Sequence, residues 1–408
     1  MSMIVKMLLA VLALSVLAAC GGQAAAPAAP TTAPAAPKAA APTTAPAAAP
    51  TTAPAAAKAT EAPKAAAPTA AAAAPTAAAA AKAAAPTAAA AAGKKLKIGL
   101  VTDQGGVNDK SFNQSAWDGV QKAMKELGVE GKYVESKQET DYEKNLDLFA
   151  TEGYDLVLGI GFLMGDALAK KAKQYPNVKF AIVDNAYFPA KAGDPDPYAT
   201  DLKNVTSLMF AEDQVGYLAG VLAGCMSKSG TVCSVSGQEI PPVVRFVTGY
   251  QTGAKAQNAS IKTLNTYIPS FVDPAKGKET GASMIGQGCD IVFGVGGNTG
   301  NGGLLAASQA GKAAIGVDVD QYNTYPEIKA SLMTSAMKNV DAAVFTAIKN
   351  LQGGGLKAGI VTSDIKNGGI GLAPFHDWES KVDQKCKDAV AKAIEGLKAG
   401  TISTGYKP

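Results

Sequence analysis

Three aspartates in this 408-residue chain each close a short apolar run: Asp103 after Leu100-Val101-Thr102, Asp184 after Ile182-Val183, and Asp318 after Ile315-Gly316-Val317. A carboxylate at a strand end accepts hydrogen bonds from hydroxyl and N–H donors. One alone does no more than cap the next helix, but three around a single cleft would grip a polar ligand. Around the first of them, residues 103–114 read Asp-Gln-Gly-Gly-Val-Asn-Asp-Lys-Ser-Phe-Asn-Gln. The paired glycines permit a tight turn and close approach of a ligand. Asp109 or Ser111 can cap a helix beginning near Phe112, which puts Phe112 and Asn113 in its first turn beside the cleft. A second glycine-rich stretch, residues 294–303, lacks the Gly-Lys-Ser/Thr of a phosphate loop. It reads as a turn whose backbone, near Gly297, approaches a ligand hydroxyl or base at a helix start.

The usual tools of catalysis are scarce. His376 is the only histidine and Arg245 the only arginine, which disfavours multi-histidine metal sites and most Ser-His-Asp arrangements. From Lys94 onward, acidic and basic residues are equal in number, so the net charge of +4 comes from the first 93 residues. With no cluster of Lys and Arg to displace counterions, a nucleic-acid partner is disfavoured. No cofactor motif is present.

The elements that must position these residues begin at Lys94. Apolar runs at 96–102, 156–161, 180–183, 205–210, 231–235, 290–295 and 313–317 alternate with helical patterns at 111–127, 164–174, 214–226, 252–264 and 340–351. Apolar runs without polar alternation suit strands covered on both faces, and their alternation with helices predicts an α/β doubly wound architecture. About 315 residues exceed one comfortable core, so two lobes are expected.

Ahead of this region, Lys6, an apolar run over 7–17 and Leu17-Ala18-Ala19-Cys20 form an export signal too short to span a membrane. It resembles a bacterial lipoprotein signal, whose cysteine, here Cys20, becomes the acylated first residue. Residues 21–93 are nearly all Ala, Pro and Thr, with no large apolar side chains to build a core. They read as a solvated tether, averaging about 47 Å end to end if flexible. The other cysteines are Cys225, Cys233, Cys289 and Cys386. Export permits disulfides, and the short turn between Cys225 and Cys233 favours joining those two, leaving Cys289 with Cys386. Four separate buried thiols are the alternative.

Taken together, residues 103–117, 213–224, 237–242, 245–253, 273–278, 296–303 and 316–321 resemble the basic membrane protein family of solute-binding lipoproteins. Its best-known type is a purine nucleoside receptor of ABC importers. The resemblance implies a type I periplasmic-binding-protein fold: two α/β lobes, a hinge and a central cleft. The expected lobes are 94–208 with 335–358, and 209–334 with 359–408, with chain crossings near 207–210, 334–338 and 355–359. It also implies that Phe112 stacks on a purine, Asn113 contacts it, and Asp184 bonds the base edge. Tyr250 stands where the family has a phenylalanine, as the second ring. Asp318 matches the acceptor for ribose hydroxyls and Lys338 a lysine near the third crossover, while Asp103 and Asp109 belong to the first loop. The implied partners are a purine nucleoside (guanosine, inosine or adenosine) and the permease subunits, with lipid attachment on the extracytoplasmic face.

Other readings compete. A nucleoside hydrolase would also hold ribose with aspartates, but the dense acidic run it needs for calcium is missing. A lipoprotein that binds no small molecule, or a receptor for a flavin-like heterocycle or a sugar, would share the fold.

Overall fold

The computed structural model describes residues 95–188 and 202–407. The expected signal, Cys20 and the tether lie outside the described residues.

The chain begins with β1 (Lys97–Thr102), α1 (Phe112–Leu127), β2 (Glu130–Glu135), α2 (Tyr142–Thr151), β3 (Leu156–Ile160), α3 (Gly165–Gln174), β4 (Lys179–Val183) and β5 (Val205–Phe210). It continues through α4 (Glu212–Met226), β6 (Thr231–Ser236), α5 (Pro241–Gln257), β7 (Lys262–Tyr267), α6 (Pro274–Gly286), β8 (Ile291–Val295), α7 (Gly297–Gln309), β9 (Ala313–Asp318), α8 (Gln321–Thr324) and β10 (Leu332–Lys338). It ends with α9 (Val340–Gln352), β11 (Gly359–Ser363), β12 (Ile370–Leu372) and α10 (Gln384–Ala399). The strands form two six-stranded sheets, ordered β11-β5-β4-β3-β1-β2 and β12-β10-β9-β8-β6-β7. Every neighbouring pair is parallel except β10 with β12. Residues of β1, β3, β6 and β8 are buried almost throughout, as apolar runs covered by helices on both faces require. The expected two-lobed α/β fold is the observed one.

The two sheets repeat one winding order, so β4 and β9 hold equivalent places. Among the described residues the chain passes between them three times. Its first passage follows Phe210 and its second follows Lys338, close to the expected crossings. The third differs from expectation. Residues 359–363 form β11, paired with β5 from Gly359↔Thr206 to Ser363↔Phe210, and so belong to the first lobe. The return comes after Ser363, not near 355–359. Residues 335–338 complete β10 in the second sheet. The expected lobe boundaries therefore shift at both places, because edge pairing rather than local composition decides which sheet a strand joins.

Two elements also differ locally. The helix expected at 252–264 is α5, which starts eleven residues earlier because Pro241 and Pro242 suit the first turn of a helix rather than ending one. Residues 262–267 are instead the strand β7, in register with β6. The glycine-rich stretch is largely the helix α7. A Cβ at Gly302 would lie 2.2 Å from the Pro274 carbonyl oxygen, so glycine there lets α6 and α7 approach closely.

Both disulfides differ from the expected pairing. Cys225 bonds Cys386, tying α4 to α10, and Cys233 bonds Cys289. The reason is strand alternation. Val232 faces the core that contains α4, whereas Cys233 points to the opposite face with Met284 and Cys289. Short sequence distance cannot join cysteines on opposite faces of a sheet.

Candidate functional site

The strand ends meet at a concave cleft lined from both lobes, the kind of place where small-molecule sites form. From the first lobe it is lined by Asp103, Gln104, Asp109, Phe112, Asn113, Gly161, Phe162 and Asp184. The second lobe supplies Ile240, Pro242, Val243, Phe246, Phe271, Gly297 and Asp318, among others, and Lys338 at the second crossing. Eight of the nine ligand-contact residues expected from sequence are thus brought together.

Asp184 and Asp318 sit at equivalent strand ends of the two sheets, and both have left-handed backbones, φ 72° and 65°. Asp accepts that conformation more readily than most residues. The two carboxylates are buried and differently engaged. Lys338 Nζ donates to Asp184 Oδ2 at 2.6 Å, and Ser111 Oγ donates to Asp318 Oδ2 at 2.5 Å. Burial pushes the Asp318 carboxyl up to about 7, against the pull of the Lys338 ammonium and the Ser111 hydrogen bond. Burial also raises Asp184, opposed mainly by Lys338.

In the first loop, Asp109 is the helix cap. Its Oδ1 accepts from the Ser111 and Gln114 amides, and its Oδ2 from the Asn113 amide at 2.9 Å. Those bonds occupy it with α1. Burial nonetheless holds its carboxyl above the ordinary range. Asn113 is buried, and its Nδ2 donates to Asp103 Oδ1 at 2.9 Å and to Asp109 Oδ2 at 3.3 Å. Two carboxylate acceptors fix which side of the amide is nitrogen. Burial drives Asp103 well above the usual carboxylate range, partly offset by the Asn113 hydrogen bond.

Two acceptors in this wall are buried without a hydrogen-bond partner among the described residues: Asn113 Oδ1 and Asp184 Oδ1. An unmet buried acceptor costs about 1–3 kcal/mol, which a ligand N–H or O–H would recover. The Lys338 ammonium lies 5.0 Å from the centroid of Phe112 and 2.8 Å from Glu212 Oε1. Glu212 in turn takes Arg245 Nε at 2.6 Å. Burial works to raise Glu212, but the two cations hold it below its ordinary value. The lysine is also kept charged: burial disfavours its ammonium, but the carboxylates around it raise it above its usual range.

Tyr250 is the expected residue that the cleft does not contain. It is fully buried in α5, 5.0 Å from Phe293, and its hydroxyl has no hydrogen-bond partner among the described residues. A Cβ at Gly253 would meet the Tyr217 carbonyl oxygen at 2.1 Å, and one at Gly220 the Tyr250 carbonyl oxygen at 2.0 Å. The same contact runs under Phe246, whose carbonyl oxygen a Cβ at Gly216 would meet at 2.3 Å, so the two rings share one face of α5 and Tyr250 lies one turn farther along it, beyond the cleft. One turn earlier, Phe246 lines the cleft instead. Phe271 was also missed, since it stands in a loop without a motif. Its signal was indirect: Gly237 and Gly296 leave room for its ring, which a Cβ at Gly237 would meet at 2.5 Å.

Two α/β lobes joined by three chain crossings, with a small-molecule cleft lined from both, define the architecture of a solute-binding protein. Residues 95–401 match the family model described as "ABC transporter substrate-binding protein PnrA-like". The chain belongs to that family. It is 36% identical over 331 residues to the ABC transporter nucleoside-binding protein BmpA of Lactococcus lactis, covering 76% of this chain and 90% of that protein. A lipoprotein of Pyrococcus furiosus is 34% identical over 293 residues, covering 68% of this chain and 70% of its own. Among solved structures, a solute-binding protein of an ABC transporter system from Aeropyrum pernix superposes with TM-score 0.68 at 28% identity. That match covers 76% of this chain and 92% of the other. The protein is an ABC transporter substrate-binding protein, a class that works outside the cytoplasm.

Proposed function

We propose that this protein binds purine nucleosides between its lobes and delivers them to an ABC permease, held to the membrane by lipid on Cys20. The observation that carries the ligand assignment is the pair of unfilled acceptors, Asn113 Oδ1 and Asp184 Oδ1, in a wall that also holds aromatic rings. A purine edge supplies N–H donors to such acceptors, and its flat faces suit Phe112 and Phe162 from one lobe and Phe246 and Phe271 from the other. Stacking is worth about 1–3 kcal/mol per base and tolerates different bases. Asp318 accepts from ribose hydroxyls. Lys338 is the only cation lining the cleft among the described residues, and its charge is already taken by Asp184 and Glu212. A phosphate would face Asp103, Asp184 and Asp318 with nothing to neutralise it, which favours nucleosides over nucleotides. The name of the Lactococcus relative supports the same ligand class.

Native mass spectrometry of the protein mixed with equal amounts of inosine, guanosine, adenosine, guanosine monophosphate, riboflavin and ribose tests this. The nucleosides should be retained at their intact masses. Retention of riboflavin or ribose in their place would overturn the assignment, and bound base without ribose would indicate hydrolysis.

A further inference from the structure

The segment 109–111 reaches out of the first lobe and is gripped by the second. Lys110 has φ 62°, and in that left-handed conformation the carbonyls of Asp109 and Lys110 both meet side chains of the other lobe. Asn301 Nδ2 donates to the Asp109 carbonyl at 2.9 Å, and Gln321 Nε2 and Thr324 Oγ1 donate to the Lys110 carbonyl at 3.2 and 2.8 Å. Ser111 Oγ adds its bond to Asp318. The Lys110 ammonium lies 4.0 Å from the centroid of the Tyr325 ring and 3.3 Å from Glu327 Oε1.

The gripping side is preset. Gln321 is fully buried, and its Nε2 also donates to Asn301 Oδ1 at 2.8 Å while its Oε1 accepts the Val317 amide at 2.9 Å. Its own amide donates to Ser335 Oγ at 3.1 Å. These bonds leave the donors of Gln321 and Asn301 aimed at the incoming carbonyls. None of Asn301, Gln321 and Thr324 lines the cleft.

We propose that Asn301, Gln321 and Thr324 are positioning residues: they latch residues 109–111 across the lobes and so set how long a bound ligand is held, without touching it. The latch and the ligand share the helix α1, because Asp109 caps it while Phe112 and Asn113 line the cleft. A ligand that prefers the closed arrangement is therefore released only when these bonds open. This rests on the proposed nucleoside reading only for the identity of the probe.

The test is hydrogen–deuterium exchange on the purified protein, paired with inosine dissociation by stopped flow. Thr324→Val removes one donor and little volume, and Gln321→Ala removes the central amide. Each variant should speed exchange in the peptides spanning 104–115 and 298–325 and quicken inosine release, by roughly three- to tenfold for one lost hydrogen bond. Exchange in β1 and β6 should stay as in the unmodified protein, which a general loss of stability would not allow. Unchanged exchange in both latch peptides in both variants would overturn the latch, whether or not inosine binds. Faster exchange in a protein that does not bind inosine would leave the latch standing and remove the nucleoside reading.

Discussion

Lys338 Nζ lies 2.6 Å from Asp184 Oδ2, joining the last residue of a strand in the second sheet to the first residue after a strand in the other. Both side chains are almost fully buried, at 2% and 5% exposure. The pair stands at the chain crossing and at the cleft wall together, and Glu212 and Arg245 continue it into the second lobe. Charge in the hinge and charge in the site are one network.

Replacing Lys338 with methionine leaves Asp184 and Glu212 buried without their shared cation. Breaking a buried pair in this way costs about 3–5 kcal/mol. Chemical denaturation should show a loss of that order. A variant within about 1 kcal/mol of the unmodified protein would mean that the network contributes little to holding the fold.

The cleft ring on α5 is Phe246 and not Tyr250. Phe246→Leu should weaken inosine binding by about 1–3 kcal/mol, the worth of one stacking partner. Tyr250→Phe removes a buried hydroxyl with no partner and should leave binding unchanged, with stability equal or slightly higher. Titration calorimetry on the two variants checks this, and the opposite ranking would return Tyr250 to the site.

This reversal marks how far the sequence is legible. Strand ends could be read because apolar runs stop abruptly at Asp103, Asp184 and Asp318, and a buried strand must end in something polar. Family spacing alone pointed to Tyr250. Phe246 and Tyr250 share one face of α5, and which turn of that face reaches the cleft is set by how α5 packs along α4, a contact that family spacing does not carry. Phe271 stayed hidden for a similar reason: its place is made by Gly237 and Gly296, each on a different loop. The equivalence of β4 and β9 follows from strand order, which no local pattern records. The third crossing was misplaced because β11 is assigned by its pairing with β5, not by its own composition.

The cysteine pairs give a covalent check. Peptide mapping without reduction should recover Cys225 with Cys386 and Cys233 with Cys289. Reducing either should cost about 2–5 kcal/mol, since both close long loops. Recovery of a Cys225–Cys233 peptide would contradict the placement of α4 and β6.

Asp318 makes stability depend on pH with a definite sign. Burial lifts its carboxyl from an ordinary 3.8 to about 7. Between those values the folded protein keeps a proton that the unfolded chain has lost, so this group's contribution to stability falls as pH rises across that window. Asp318→Asn removes the cost of charging. Its melting temperature relative to the unmodified protein should therefore rise from pH 5 to pH 8. Parallel curves over that range would show that Asp318 is ionised throughout in the folded state.

The nucleoside assignment turns on whether the cleft prefers a neutral ligand rich in donors to the same ligand carrying a phosphate. Titration calorimetry with guanosine and guanosine monophosphate, under identical buffer and salt, compares the two directly. Guanosine should bind at least tenfold more tightly, about 1.4 kcal/mol, because the phosphate would meet carboxylates and a lysine whose charge is already paired. Equal or tighter binding of guanosine monophosphate would contradict the proposed ligand class and the reading of Lys338 as part of the hinge network.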